Sequence, residues 1–265
     1  MKRILAGLAT ACAATLVAVT PTAAQAAPVD PVKALKQQYA PGHGVRFVES
    51  AHTSVGGKTM SAEKATGRLA FGKNGVVASD ISTHGRRGTS LSPDRMISVG
   101  GHAYFQGGVY EEGLPEGKKW VRYEQPAGGT TLNQPLDIFE PKILKALVSK
   151  ARSVKGGTYK GEITYKEIAK LYGETLKGAV SKIKVTYALG LNSKGLVNRL
   201  RTSWTLDFGV LGKTTGTTDT RYIGWGSRVT IKAPAQDTWV DAKSLGEDSD
   251  VPEQVPQDNL HVFAH

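Results

Sequence analysis

Two hydrophobic periods divide the chain. Val45-Arg46-Phe47-Val48-Glu49-Ser50 and Gly67-Arg68-Leu69-Ala70-Phe71 alternate apolar with polar residues, the period of a strand buried on one face. Gly72-Lys73-Asn74-Gly75 carries the Asn-Gly signal of a tight hairpin, and Val76–Ser82 resumes the extended pattern. Met96–Val99, His102–Phe105, Val109–Tyr110 and Trp120–Glu124 read as further short strands between glycine-rich turns. This first half is an antiparallel meander.

The 3.6-residue period shows in three places. Asp30 before Pro31 is a capping residue ahead of a proline suited to the first helical turn, and Pro41-Gly42 stops that helix. In Pro141–Ala151, Ile143, Leu144, Leu147 and Val148 fall on one stripe, and Gly156-Gly157 follows. Tyr165–Leu176 presents Ile168, Leu171 and Tyr172 on one face. Strands are expected at Thr158–Thr164, Ile183–Leu191, Leu196–Phe208, Thr214–Tyr222 and Arg228–Ala233, with Asn192–Gly195 as a hairpin turn. Runs of strands broken by a few helices predict an α+β fold: one curved antiparallel sheet with the helices packed against its concave face.

The stretch Leu114–Gln125, LPEGKKWVRYEQ, interleaves cations with aromatics. Alternation puts Trp120 and Arg122 on one face and Lys119, Val121 and Tyr123 on the other, so it reads as a turn feeding an edge or rim strand.

The ends change the picture of where the protein works. Lys2 and Arg3 precede a short apolar run and the small-x-small site Ala24-Gln25-Ala26, the layout of a secretory signal peptide over residues 1–26. Cys12 follows Ala9-Thr10-Ala11, without the large aliphatic residue a lipidation site carries three positions earlier, so the expectation is secretion with loss of Cys12 rather than lipid anchoring. The exported chain then has no cysteine and no disulfide. Residues 27–245 read as a single domain, and 246–265, acidic and proline-punctuated, as a flexible tail.

Charge is unevenly spread. Residues 27–245 hold 32 basic and 18 acidic side chains, a net +14, whereas 246–265 hold five acids and no Lys or Arg. A cationic exported body suits anionic partners, whether a membrane surface, a wall polymer or an acidic glycan, and export disfavours nucleic acid.

Motifs for catalysis are missing. The histidines are scattered without HExxH, Ser98 and Ser227 lack a nucleophile-elbow frame, and no glycine pair opens a helix as GxxxxGK[ST] does. Cofactor and metal sites are therefore not expected. The strands Val185–Leu189 and Trp204–Phe208 place large apolar groups on one face, which fits either a filled core or a cavity.

Four stretches together resemble a known family: Leu114–Tyr123, Gly157–Thr164, Gly195–Leu200 followed by Trp204, and Thr217–Pro234 ending in Ala233-Pro234. The chain resembles the LppX/LprG-type lipoproteins of actinobacteria, within the LolA/LolB-like superfamily, over about residues 30–243. The resemblance implies a curved, half-open antiparallel β-barrel wrapped around helices, with an apolar cavity for acyl chains, and a carrier of lipid or another amphiphile rather than an enzyme. It departs from the family in lacking a convincing lipobox. Under this reading the lipid-binding lining would be Phe71, Met96, Val99, Tyr104, Leu144, Leu147, Trp204 and Leu206, with Lys118, Lys119 and Arg122 near an anionic headgroup. The alternative from charge is a cell-wall-associated or regulatory module whose basic surface takes an anionic polymer or a protein partner. A secreted hydrolase would need a convergent Ser/His/acid set or carboxylate pair.

Overall fold

The computed structural model describes residues 29–84, 93–126, 130–207, 209, 212–246, 249, 251–252 and 254–255. The expected leader with Cys12, Phe208, and all five acids of the tail lie outside the described residues. Twelve strands form one sheet: β1 His43–Val55, β2 Lys58–Phe71, β3 Val76–His84, β4 Arg95–Val99, β5 His102–Gln106, β6 Trp120–Tyr123, β7 Ser153–Lys155, β8 Thr158–Thr164, β9 Lys184–Leu191, β10 Val197–Asp207, β11 Lys213–Arg228 and β12 Trp239–Asp241. Among the described residues three α-helices accompany it: α1 Pro31–Gln38, α2 Pro141–Ser149 and α3 Tyr165–Tyr172. The fold is α+β, with an open, curled sheet.

The strand order is β12-β6-β5-β4-β3-β2-β1-β11-β10-β9-β8-β7. Two meanders, β1–β6 and β7–β11, thus lie side by side, joined by the antiparallel pairing of β1 with β11 from His43↔Arg228 to Val55↔Thr214. All pairings are antiparallel except β12 with β6, which is parallel.

Alternation then sorts the side chains. Val45, Phe47, Leu69, Phe71, Ile81, Ile163, Val185, Tyr187, Leu189 and Leu200 face one side and form a single core with Leu35 of α1, Ile143, Leu144 and Leu147 of α2 and Ile168 of α3. Each such Leu or Ile stabilises the fold by roughly 1.5–3 kcal/mol, an upper bound because the unfolded chain already buries some surface. This is the covered face. The segment 130–140, between β6 and α2, lies on it too, with Leu136 and Ile138 fully buried.

Local chemistry sets the helix ends. Asp30 accepts from the backbone N–H of Val32 at 2.9 Å. At α3, Thr164 and Glu167 form a reciprocal capping box, and Gly173 closes the helix with φ 85°. That glycine ends α3 earlier than the expected Leu176.

Three other expectations are corrected. Val109–Tyr110 is a 3-10 turn, Gly108–Tyr110, because Gly107 and Gly108 take positive φ and Tyr110 turns inward to stack on Phe105 at 4.9 Å. Arg228–Ala233 is no separate strand: β11 runs on to Arg228, and Val229 leaves the sheet with its N–H bonded to Gly42 O. β6 is not a free edge, because β12 pairs along it from Trp239↔Trp120 to Asp241↔Arg122. No expectation had been raised for β7 or β12, three residues each.

The chain also returns after Leu245. Val251 and Val255 are buried in a second cluster with Ala103, Phe105, Tyr110, Val121 and Tyr123. The Tyr123 hydroxyl donates to Pro252 O at 2.5 Å.

Candidate functional site

The covered face is not uniform along the strands. At the α1 end it is sealed by aromatics: Phe71 stacks on Trp225 at 5.9 Å, Phe139 meets Tyr222 edge-on at 5.6 Å, and the Tyr39 hydroxyl donates to Phe139 O at 2.5 Å. Toward the β1–β2 hairpin, the same face carries Ala51, Glu63, Trp204 and Leu206, all half-buried. Trp204 and Leu206 pack against the main core and continue its apolar surface outward.

Trp204 lies where it does because of the residue beneath it. Gly216 on β11 is its direct partner in register, and a Cβ built on Gly216 would stand 2.3 Å from Cε2 of the indole. Any other residue there would push the ring away.

Between the sealed and half-buried ends runs a strap, residues 130–140, pinned by polar bonds. Glu49, 1% exposed, accepts from the Asn133 N–H at 2.7 Å and from the Thr220 hydroxyl at 2.9 Å. The Thr202 hydroxyl donates to Gln134 Oε1 at 2.7 Å, Gln134 Nε2 donates to Thr220 Oγ1 at 3.1 Å, and the Thr218 hydroxyl donates to Asn133 O at 3.1 Å. Asn133 Nδ2 reaches Glu63 at 3.2 Å. Buried polar groups hold such positions only when satisfied, since a lost partner costs ~1–3 kcal/mol. Burial raises the Glu49 pKa; the Asn133 and Thr220 hydrogen bonds oppose this, and Glu63 adds to it.

The anticipated lining divides between the faces. Phe71, Leu144 and Leu147 are deep in the main core, and Met96, Trp204 and Leu206 border it. Val99 and Tyr104 lie on the opposite face, packed with Ile97, Trp120 and Trp239. The reason is register: Tyr104 pairs with Ile97 and Arg122, one pleat away from the inward Phe105.

Lys118, Lys119 and Arg122 do not converge on the covered face either. Arg122 forks onto Asp241 at 2.5 and 2.9 Å and stacks 4.0 Å over Trp239. Lys118 Nζ donates to Asp237 O at 3.0 Å, and the Lys119 N–H donates to Thr238 O. This basic stretch serves chiefly to dock residues 237–241. Among the described residues no group of His, Cys, Asp and Glu stands together as metal ligands, and no helix is long and apolar enough to cross a membrane.

The strap and its pins were not anticipated. Two signals pointed to them: Glu49 shares the inward parity of Val45 and Phe47, and Thr218 and Thr220 share that of Tyr222. Polar residues in an apolar register need a partner, and the sequence does not name it.

No family model matches this chain, and no curated protein does. Among solved structures, the chain is similar to the Mycobacterium tuberculosis lipoprotein LppX, at 12% identity and a TM-score of 0.36, over 76% of this chain and 96% of that one. It is similar to a LolA-superfamily protein from Nitrosomonas europaea, at 11% identity and a TM-score of 0.29, over 76% and 93%. A DUF1329-family protein from Desulfovibrio piger gives 14% identity and a TM-score of 0.26 over 77% and 96%. LppX and LolA-type proteins, which the sequence resembles, are thus among its structural neighbours. All three TM-scores are below 0.5.

Proposed function

We propose that this protein is a secreted, non-enzymatic binder of an amphiphile, whose acyl chain lies on the covered face against Trp204 and Leu206. The observation that carries the reading is that these two half-buried apolar side chains pack directly against the buried core. Gly216 lays the indole flat, so its ring offers a broad apolar contact. Burying each methylene of a ligand there contributes about 0.8 kcal/mol, so acyl length sets affinity. The strap lies at the inner end of this surface, its apolar side chains Leu132, Leu136 and Ile138 occupying the space a longer acyl chain would take. Export would follow from residues 1–26 as a cleaved leader, which N-terminal sequencing of the secreted protein checks at Ala27.

The deciding experiment is lipid extraction and mass spectrometry of protein purified from its native secretion route, with indole fluorescence titrated by a fatty-acid series. An acyl-bearing species should co-purify, and affinity should rise roughly tenfold for every two added methylenes. A protein that carries no acyl species and gives no length-dependent response, with Trp204→Ala behaving as wild type, would refute the reading.

A further inference from the structure

The opposite face of the sheet has its own feature. Residues 229–241 pack over part of it, against Ala70, Ala78, Ile97, Tyr104 and Trp120. Beside them lies an open groove of about 530 Å³ lined by Arg46, Val48, Thr66, Arg68, Asp80, Ser82, Arg95 and Ile223, with backbone of Phe47 and Gly67 in its wall. It crosses β11, β1, β2, β3 and β4, a width of roughly 19 Å at the usual strand spacing.

Its charges are set against the sheet's own stability. Arg46 stands directly opposite Arg68 in the β1–β2 register, and like charges so placed destabilise a strand pair. Arg68 and Arg95 share one carboxylate, Asp80, which is 7% exposed; Arg95 holds it with two bonds of 2.9 and 3.0 Å. Burial alone would raise the Asp80 pKa, but the two guanidiniums outweigh it and lower the value. Arg46 has no ion-pair partner among the described residues, so three guanidiniums face one buried carboxylate. Beside them Val48 and Ile223 are 43% and 50% exposed, although they sit on central strands.

We propose that this groove binds a linear phosphodiester polymer, with successive phosphates on Arg46, Arg68 and Arg95 and the apolar parts of its linkers against Val48 and Ile223. Guanidinium N–H groups match phosphate oxygens, and Asp80 holds Arg68 and Arg95 in place in advance, leaving their remaining N–H groups and the whole fork of Arg46 for the ligand. Three guanidiniums spread over β1, β2 and β4 suit a chain with repeating anions better than one isolated anion. Two exposed aliphatic side chains are too few to enter a bilayer, which disfavours a membrane surface. No exposed aromatic lines the groove to stack a base, which disfavours single-stranded nucleic acid. The site is independent of the covered face.

The test is titration of the full chain with an oligomer of glycerol phosphate at low salt, beside inorganic phosphate, phosphatidylglycerol vesicles and oligothymidylate. Wild type should bind the oligomer in a salt-sensitive way and more tightly than the other three. Arg46→Glu should weaken it about tenfold or more, and Arg46→Gln less. Lys160→Glu, an equal charge reversal on distant β8, should change it less than about twofold. Equal losses for Arg46→Glu and Lys160→Glu would reduce the effect to bulk charge and overturn the proposal. So would preference for vesicles or oligothymidylate, or no binding of the oligomer.

Discussion

The Thr202 hydroxyl on β10 donates a 2.7 Å hydrogen bond to Oε1 of Gln134 in the strap, tying that segment to the middle of the covered sheet face. Thr202→Val keeps the shape and removes the donor, leaving the half-buried Gln134 oxygen short of a partner. The cost should be ~1–2 kcal/mol. Hydrogen exchange at residues 130–140 should accelerate more than exchange in β9, which a uniform loss of stability would not produce. Under the proposed function, acyl uptake should also become faster.

Gly216 and Trp204 make a second prediction. Gly216→Ala places a methyl within 2.3 Å of the indole, so the ring must tilt off the sheet. The change should cost ~1–3 kcal/mol as an overpacking substitution. It should shift tryptophan emission and weaken amphiphile binding. Unchanged emission and binding would show that the ring does not depend on the glycine.

Glu49 makes the strap pH-sensitive. Its native pKa is raised, chiefly by burial, so the folded state keeps this proton to higher pH than the unfolded chain. The contribution is therefore fully present below the unfolded value near ~4.3 and is lost as pH rises through the native value. Glu63, with Asp137 and Tyr222 nearby, remains in place in Glu49→Gln. The variant should gain stability relative to wild type as pH rises through that window, read by denaturant unfolding at a series of pH values. A difference that does not vary with pH would contradict this.

The returning C-terminal segment covers Phe105, Tyr110, Val121 and Tyr123 through Val251 and Val255. Truncation after Gly246 should cost ~2–4 kcal/mol, from two buried valines and the Tyr123 bond to Pro252 O. It should also raise binding of a hydrophobic dye. Tyr123→Phe in the full chain should lose only ~1 kcal/mol, separating the hydrogen bond from the burial.

The covered face was legible where burial follows period. Val45, Phe47, Leu69, Phe71, Val185, Tyr187 and Leu189 alternate in the chain, and all turn inward. The stripe Ile143, Leu144 and Leu147 does the same for α2. Tyr104 and Val99 were misplaced because apolar residues fill both faces of β4 and β5, and alternation cannot say which face the helices take. Arg122 was expected near an anionic headgroup; its partner Asp241 lies 119 residues away, on a strand too short to show a period.

Sequence by itself determined the local elements: where period two gives strands, where period 3.6 gives helices, and where glycine or proline ends them. It also determined the basic body and acidic C-terminus. Only the tertiary structure decided that β1 pairs with β11, that Gly216 lies under Trp204, that Gln134 answers Thr202, and that Arg46 faces Arg68. These are meetings of residues far apart in the chain. The physical reason is that propensity and turn chemistry act over a few residues, whereas register between distant strands is fixed only when the whole apolar face closes at once.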